Sequence, residues 1–287
     1  MSRFGIGTVQ FGLDYGVNNT LGKPSITTVK EILNCASLNG INCLDTARDY
    51  GDSEAVIGDC TNEFVKSFDV VTKITAKSIE EFNTKVKDSL FHLKSNKLYG
   101  LLFHNFNDFK ENEDLWIAAT KLKEDGVVKK IGFSLYSPDQ IDWLIKKSVC
   151  FDIVQVPFNI FDRRFESYFK LLKNMSVEVH VRSIFLQGLF FMEENKLPDH
   201  FLPVKNKIRL LHKISEKYSL SIAHICLWFG LLHTNIDKII VGINSLKDLQ
   251  RNLSILSDYK YSEDLLNDLI ELEVYDEKIL SPVNWKL

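Results

Sequence analysis

Residues 41–51 read INCLDTARDYG. The stretch opens as an apolar run, closes on a carboxylate (Asp45), and carries a phenol (Tyr50) in the loop beyond it. Parallel strands buried on both faces are near-continuously hydrophobic, so a polar residue at the close of such a run marks the carboxyl edge of a sheet. The next two runs do the same: DVVTKI (69–74) holds Lys73 near its end and LYGLLFH (98–104) stops at His104. Neighbouring strands lie about 4.8 Å apart, so these four side chains can converge on one point.

Working outward, the same kind of run recurs at FGIGTV (4–9), KKIGFSL (129–135), DIVQVPF (152–158), EVHVRSI (178–184) and KIIVGI (238–243). Amphipathic segments separate them. Thr27 or Thr28 is expected to open the first helix, which carries Ile32, Leu33, Ala36 and Leu38 and stops at Gly40. Ser78 and Glu81 form a capping-box pattern ahead of Val86, Leu90 and Leu93, and Ser137-Pro138 starts the helix through Trp143. Eight strands alternating with helices imply an α/β fold with a parallel sheet, and that number is the signature of the (β/α)8 TIM barrel. An open doubly wound sheet would want a glycine-rich fingerprint running into a helix. Gly5 and Gly7 form only a lone G-x-G that opens a loop. No linker or low-complexity block divides residues 1–287, so one domain is expected. About 55 residues separate the last two strands; they hold a Pro-containing loop (189–203) and two helices, 205–218 and 222–233. That loop is the candidate lid or cofactor strap.

Composition narrows the class. The chain has 287 residues, 45% hydrophobic and 25% charged, with a formal net charge of −3. No basic field for nucleic acid is present. The longest apolar stretch, residues 225–232, is far shorter than the roughly 20 residues that span a bilayer, and the start lacks a signal-peptide core. Cys35, Cys43, Cys60, Cys150 and Cys226 are scattered without a C-x-x-C pair, which argues against a disulfide framework or zinc site and for a cytoplasmic, reduced setting. The histidines other than His104 have no metal-ligand spacing, so no metal is expected.

The chemistry follows from the four residue types. A phenol has an ordinary pKa of about 10, and a nearby ammonium lowers it by stabilising the phenolate. Asp45 would hold Lys73 charged and oriented, His104 would polarise a substrate oxygen, and Tyr50 would be general acid in reduction and general base in oxidation. Such a site protonates a carbonyl oxygen, so the hydride must come from a cofactor.

LDTARDYGDSEAVIG resembles the aldo-keto reductase signature D-T-A-x-x-Y-G-x-S-E-x-x-x-G, and Lys73 and His104 fall where that family has its other two catalytic residues. IGFSLYS (131–137), VQVPFNIFDRR (154–164), VRSIFLQGLF (181–190) and IVGINSLKDLQRNL (240–253) are similar to later family segments. The resemblance implies a barrel that binds NADPH or NADH across its carboxyl face and acts on a small carbonyl substrate. It implies Ser134, Gln155 and Asn159 at the nicotinamide carboxamide, and Arg182 where many members stack a tyrosine on the ring. Leu186 and Gly188 would line a pyrophosphate strap, and Gly242, Asn244, Gln250 and Asn252 would meet the adenosine. Thr8 and Ser183 complete the implied cofactor contacts.

Two departures from the family pattern bear on specificity. Asn244 and Asp248 stand where NADP-preferring members usually carry an arginine, so NADH is expected to serve at least comparably to NADPH. Asn105 replaces a pocket tryptophan, and the tail SPVNWKL (281–287) is short, which suits a hydroxylated substrate such as a sugar. Two other readings remain open. One is a cofactor-binding regulatory subunit with little turnover. The other is a Schiff-base enzyme using Lys73 as nucleophile, which needs a neutral lysine that Asp45 would oppose.

Overall fold

The computed structural model describes residues 2–16, 19, 22–60, 68–260 and 262–285, leaving aside the Val283 side chain. Lys286 and Leu287 of the tail lie outside the described residues. Eight strands form: Phe4–Gly7 (β1), Cys43–Asp45 (β2), Asp69–Ile74 (β3), Leu98–Phe103 (β4), Val128–Ser134 (β5), Ile153–Pro157 (β6), Glu178–Arg182 (β7) and Lys238–Gly242 (β8). Each pairs in parallel with the next, and β8 closes on β1 to complete a (β/α)8 barrel. All eight strands fall within the runs read from sequence, or one residue outside them.

The register explains how the polar residues gather. Asp45 is level with Val71, so Lys73 sits two residues higher on the same face of β3. Lys73 is in turn level with Leu102, and His104 lies two residues beyond it. Two residues are about 6.6 Å of strand, so a sheared barrel lifts each successive group while the tilt brings them together. Beneath them, Cys43, Val71, Leu102, Ile153 and Ile240 fill the barrel as a small buried cluster.

The outer layer is amphipathic helix against strand. Helix Ile26–Leu38 buries Val29, Ile32, Leu33 and Ala36 and gives way to Gly40, whose φ of +71° suits glycine. Its cap is Ser25 rather than Thr27 or Thr28: Ser25 Oγ accepts from Thr28 N at 3.1 Å. The capping pattern at Ser78 is only half realised. Ser78 Oγ accepts from Glu81 N at 3.1 Å, while Glu81 Oε2 accepts from Lys77 N, one residue before the cap. Helix Asp114–Glu124 docks on β5 through Trp116 stacked on Phe133, with centroids 4.9 Å apart.

After β7 the chain makes short 3-10 turns at Leu186–Phe191, Glu194–Lys196 and Asp199–Val204, then helices Lys205–Tyr218 and Ile222–Leu232. The first turn is pinned from below, because Phe190 is fully buried with its ring 4.8 Å from that of Phe161. Among the described residues no helix is long and apolar enough to cross a membrane.

Candidate active site

The loop carrying Tyr50 is fixed by its backbone before any side chain acts. Thr46 N donates to Val71 O at 2.8 Å and Arg48 N to Lys73 O at 2.9 Å, so the segment continues the β3 ladder beyond β2. Gly12 then packs against the loop: a Cβ there would lie 1.9 Å from Tyr50 O, so only glycine fits. Ser53 Oγ donates to Thr8 O at 2.8 Å, and buried Glu54 accepts from Thr72 Oγ1 at 2.6 Å. The Ser-Glu pair of the signature therefore staples helix Ser53–Cys60 to the loop after β1 and to β3.

Lys73 is fully buried and its three donors are all directed. Nζ reaches Asp45 Oδ2 at 2.7 Å, Thr46 O at 2.9 Å and Tyr50 Oη at 3.4 Å. The other oxygen of Asp45 accepts from Gln155 Nε2 at 2.6 Å, a contact across 110 residues that no local pattern announces. The His104 ring meets Tyr50 edge-on, with centroids 5.8 Å apart. Its Nδ1 lies 3.4 Å from Asp49 Oδ2 but outside hydrogen-bond geometry. The four residues thus converge as expected.

The electrostatics differ from expectation in one respect. Burial pushes the Tyr50 phenol above its ordinary value, and the opposing pull of Lys73 does not cancel it. The phenol is therefore protonated at neutral pH. Burial works against the charge on Lys73, but Asp45 and then Tyr50 outweigh it and raise its pKa, so the ammonium persists. A charged Lys73 is no amine nucleophile, which removes the basis for the Schiff-base reading. Burial also lowers the pKa of His104 despite Asp49, so the imidazole is neutral.

A cavity of about 360 Å³ opens above these groups. Its lining includes Asp45, Tyr50 and His104, and, of the expected cofactor residues, Thr8, Ser134, Arg182, Ser183, Gly188, Gly242 and Asn244. Gln155 lies just beneath. Ser134 and Gln155 are register partners on β5 and β6, and Ser134 Oγ and Gln155 Oε1 are buried without hydrogen-bond partners. Buried polar atoms are seldom left so. A hydroxyl and a carbonyl side by side match the oxygen and amide hydrogens of a carboxamide, so the residues present fit a nicotinamide.

Other expected contacts are placed elsewhere. Asn159 Oδ1 accepts from Phe161 N and Asp162 N while its Nδ2 donates to Ser183 O, so it shapes the loop after β6. Leu186 is fully buried and belongs to the core, although its φ of +43° helps bend the strap. Gln250 is exposed and Asn252 is buried on helix Leu246–Ser257; neither lines the cavity. The bordering part of this segment starts before the expected loop 189–203: Ser183, Ile184, Phe185, Gln187, Gly188 and Phe191 line the cavity, and residues 192–203 do not.

Among the lining residues not expected from the sequence are Tyr15, Tyr136 and Arg251. Gln187 Nε2 donates to Tyr15 Oη at 2.6 Å, tying the strap to the loop after β1. Arg251 brings a guanidinium to the side of Asn244, with Nη2 3.6 Å from Asp248 Oδ1. Its i,i+3 spacing from Asp248 is visible in LKDLQRN, three residues beyond the position at which the family pattern places an arginine.

A parallel barrel with an Asp–Lys–Tyr–His cluster beside a nicotinamide-shaped pair of orphan groups defines an NAD(P)-dependent oxidoreductase. The chain belongs to the aldo/keto reductase family, whose model matches residues 3–273, and that family carries out NAD(P)H-dependent carbonyl reduction. It is similar to the oxidoreductase YqkF of Bacillus subtilis, at 26% identity over 87% of this chain and 90% of that protein. It is also similar to D-arabinose 1-dehydrogenase of Saccharomyces cerevisiae, at 31% identity over 42% of this chain and 41% of the relative. Among solved structures, the holo form of aldo-keto reductase AKR11C1 from Bacillus halodurans superposes with a TM-score of 0.77 at 22% identity, covering 96% of this chain and 94% of that one.

Proposed function

We propose that this protein reduces an aldehyde or ketone on a small hydroxylated molecule, such as a sugar or sugar derivative, with Tyr50 as the general acid. The observation that carries this reading is the Lys73 ammonium shared between Asp45 Oδ2, at 2.7 Å, and Tyr50 Oη, at 3.4 Å. It holds a cation where the tyrosine becomes anionic as it gives up its proton.

NADPH or NADH, when bound, supplies the hydride. Ser134 Oγ and Gln155 Oε1 would hold its carboxamide, and Thr8, Ser183, Gly188, Gly242 and Asn244 border the rest of its path. The neutral His104 donates an N–H to the carbonyl oxygen and orients it toward Tyr50 Oη. Tyr50 transfers its proton to that oxygen, and the phenolate left behind is stabilised by the adjacent Lys73 ammonium. Asp45 keeps Lys73 charged and aimed, and Gln155 in turn fixes Asp45. In the reverse direction the phenolate takes the alcohol's proton, so oxidation needs a deprotonated Tyr50.

The sugar assignment rests on the partial likeness to an arabinose dehydrogenase; Asn105, expected at the pocket, instead caps the helix Phe106–Glu111 and does not border the cavity. Screening aldehydes, ketones and sugars for loss of NADPH or NADH absorbance tests it. Turnover of a hydroxylated carbonyl is expected. Tight cofactor binding with no carbonyl consumed would favour the regulatory-subunit reading instead.

A further inference from the structure

Arg182 ends β7 at the cavity, close to the pair that fits a carboxamide. It is the register partner of Pro157, two residues beyond Gln155 on the same face of β6. Its Nη2 donates to the carbonyl of Leu135, the residue after Ser134, at 3.4 Å. A carboxamide held by Ser134 Oγ and Gln155 Oε1 therefore brings the ring that carries it into the neighbourhood of this guanidinium. The positive charge of Arg182 also bears on Tyr50 and His104, so it reaches the end of the cavity where the carbonyl reacts.

The guanidinium is held in place. Nη1 donates to Ser183 Oγ at 3.4 Å, and the centre of the Tyr136 ring lies 4.3 Å from its carbon. Asp45, the carboxylate in the cavity lining, is committed to Lys73 at 2.7 Å, so the charge on Arg182 acts on what binds beside it. A guanidinium, unlike an imidazole, keeps that charge at any working pH.

The two forms of a nicotinamide cofactor differ at this spot by one charge. The reduced ring is neutral, and giving up its hydride leaves it a cation; the sugars and phosphates are the same in both. A positive charge beside the ring repels only the oxidised form. At contact distance that repulsion is well above thermal energy, even with the screening found near a protein surface.

We propose that Arg182 makes this site discriminate between the redox states of its cofactor, disfavouring the oxidised, cationic nicotinamide and leaving the reduced ring unopposed. This rests on the carbonyl-reductase reading and adds a thermodynamic bias to it. In reduction, the oxidised cofactor is a weakly held product that leaves readily. In oxidation, the same charge makes the ring a stronger hydride acceptor.

The test reads binding, not turnover. Calorimetric titration of the full chain gives Kd for NADH and NAD+, and for NADPH and NADP+, in the parent, Arg182→Gln and Arg182→Lys, each checked for folding by circular dichroism. The quantity read is the ratio of oxidised to reduced Kd, in which any contact of Arg182 with a phosphate cancels. The parent should hold the reduced form at least about tenfold more tightly, and Arg182→Gln should lower the ratio by about tenfold. Arg182→Lys, which keeps the charge, should keep most of it. Tighter binding of the oxidised form in Arg182→Gln would be a gain that a merely structural role does not produce. Equal affinities for the two redox states in the parent overturn the proposal without recourse to a variant. A substitution that weakens both forms by the same factor also overturns it, because the guanidinium then serves a part of the cofactor whose charge does not change. A parent that binds neither form overturns the reductase reading and the proposal with it.

Discussion

The two ends of the barrel are built from the same kinds of residue and come out differently. At the amino end, Glu178 accepts from Tyr99 Oη at 2.9 Å, pairs with Lys130, and lies 3.3 Å from His180 Nε2. Beside it Lys238 Nζ donates to Ser2 O at 2.8 Å and Asn42 Oδ1 at 2.9 Å, and Asn42 Nδ2 donates to Asp69 Oδ2 at 2.8 Å. Among the described atoms of that cluster only His180 Nδ1 is buried without a partner. At the carboxyl end, a carboxylate, a lysine, a tyrosine and a histidine meet again. There, among the described residues, Tyr50 Oη has a single long contact, 3.4 Å to Lys73, and Ser134 Oγ and Gln155 Oε1 are buried without a partner. The closed network stabilises the fold. The open one has capacity left for ligands, and that unspent capacity identifies the site better than the residue types do.

The comparison predicts opposite responses to substitution. Tyr50→Phe should lower kcat by about 10²–10⁴-fold, the usual worth of a general acid, while cofactor affinity and thermal stability stay close to the parent's. Steady-state kinetics and a melting curve on the same preparation check both halves. Equal rates in parent and variant would remove Tyr50 from the chemistry.

The next effect concerns the cofactor. We expect NADH and NADPH to bind comparably, because Asn244 is neutral and Asp248 partly offsets Arg251. Asn244→Arg should shift relative affinity toward NADPH by about ten- to over a hundredfold, the value of a charge-assisted hydrogen bond of about 1.5–3 kcal/mol. Fluorescence titration with both cofactors measures it. A parent that already prefers NADPH a hundredfold would make Arg251 a sufficient phosphate clamp.

Glu178→Gln probes the other end. Removing the charge that Lys130 and His180 share should lower unfolding stability by about 1.5–3 kcal/mol with kcat/KM unchanged. Burial alone would push the Glu178 carboxyl up, but His180 and then Lys130 bring it from 4.5 to about 2. A carboxyl held below its ordinary value adds stability above that value and loses it as pH falls toward the folded one. The parent should therefore lose stability more steeply than the variant between pH 4.5 and about 2. Urea titrations across that range decide it, and parallel curves would deny the linkage.

Much of this was legible in the sequence because it is local. Strand runs, the Asp45–Tyr50 spacing and the strand-end positions of Lys73 and His104 each depend on a few neighbouring residues and a period of two. What was not legible is set by register and closure. The Gln155–Asp45 bond joins strands far apart in sequence, and no pattern in VQVPF announces it. Asn159 resembles a ligand contact in a motif, yet its amide oxygen is taken by the backbone of its own loop and its amide nitrogen by Ser183 O after β7. Tyr136 and Arg182 follow β5 and end β7, so the 4.3 Å approach of the guanidinium to the ring appears only when those strands share one mouth. The balance between burial and Lys73 at Tyr50 is likewise a property of the assembled pocket.

That balance is the central claim, and the pH dependence of alcohol oxidation tests it most directly. Oxidation needs the phenolate, so kcat in the parent should rise with pH through an ionisation that burial raises and Lys73 partly restrains. In Lys73→Met the restraint is gone, and the controlling ionisation should move to higher pH, with the loss in rate greatest at neutral pH. Because the variant leaves Asp45 buried beside Gln155 alone, a folded fraction equal to the parent's should be verified by circular dichroism at the assay temperature. A profile displaced upward supports Lys73 as the group that tunes Tyr50. An unchanged profile with activity retained would contradict the account and leave Lys73 a structural partner of Asp45.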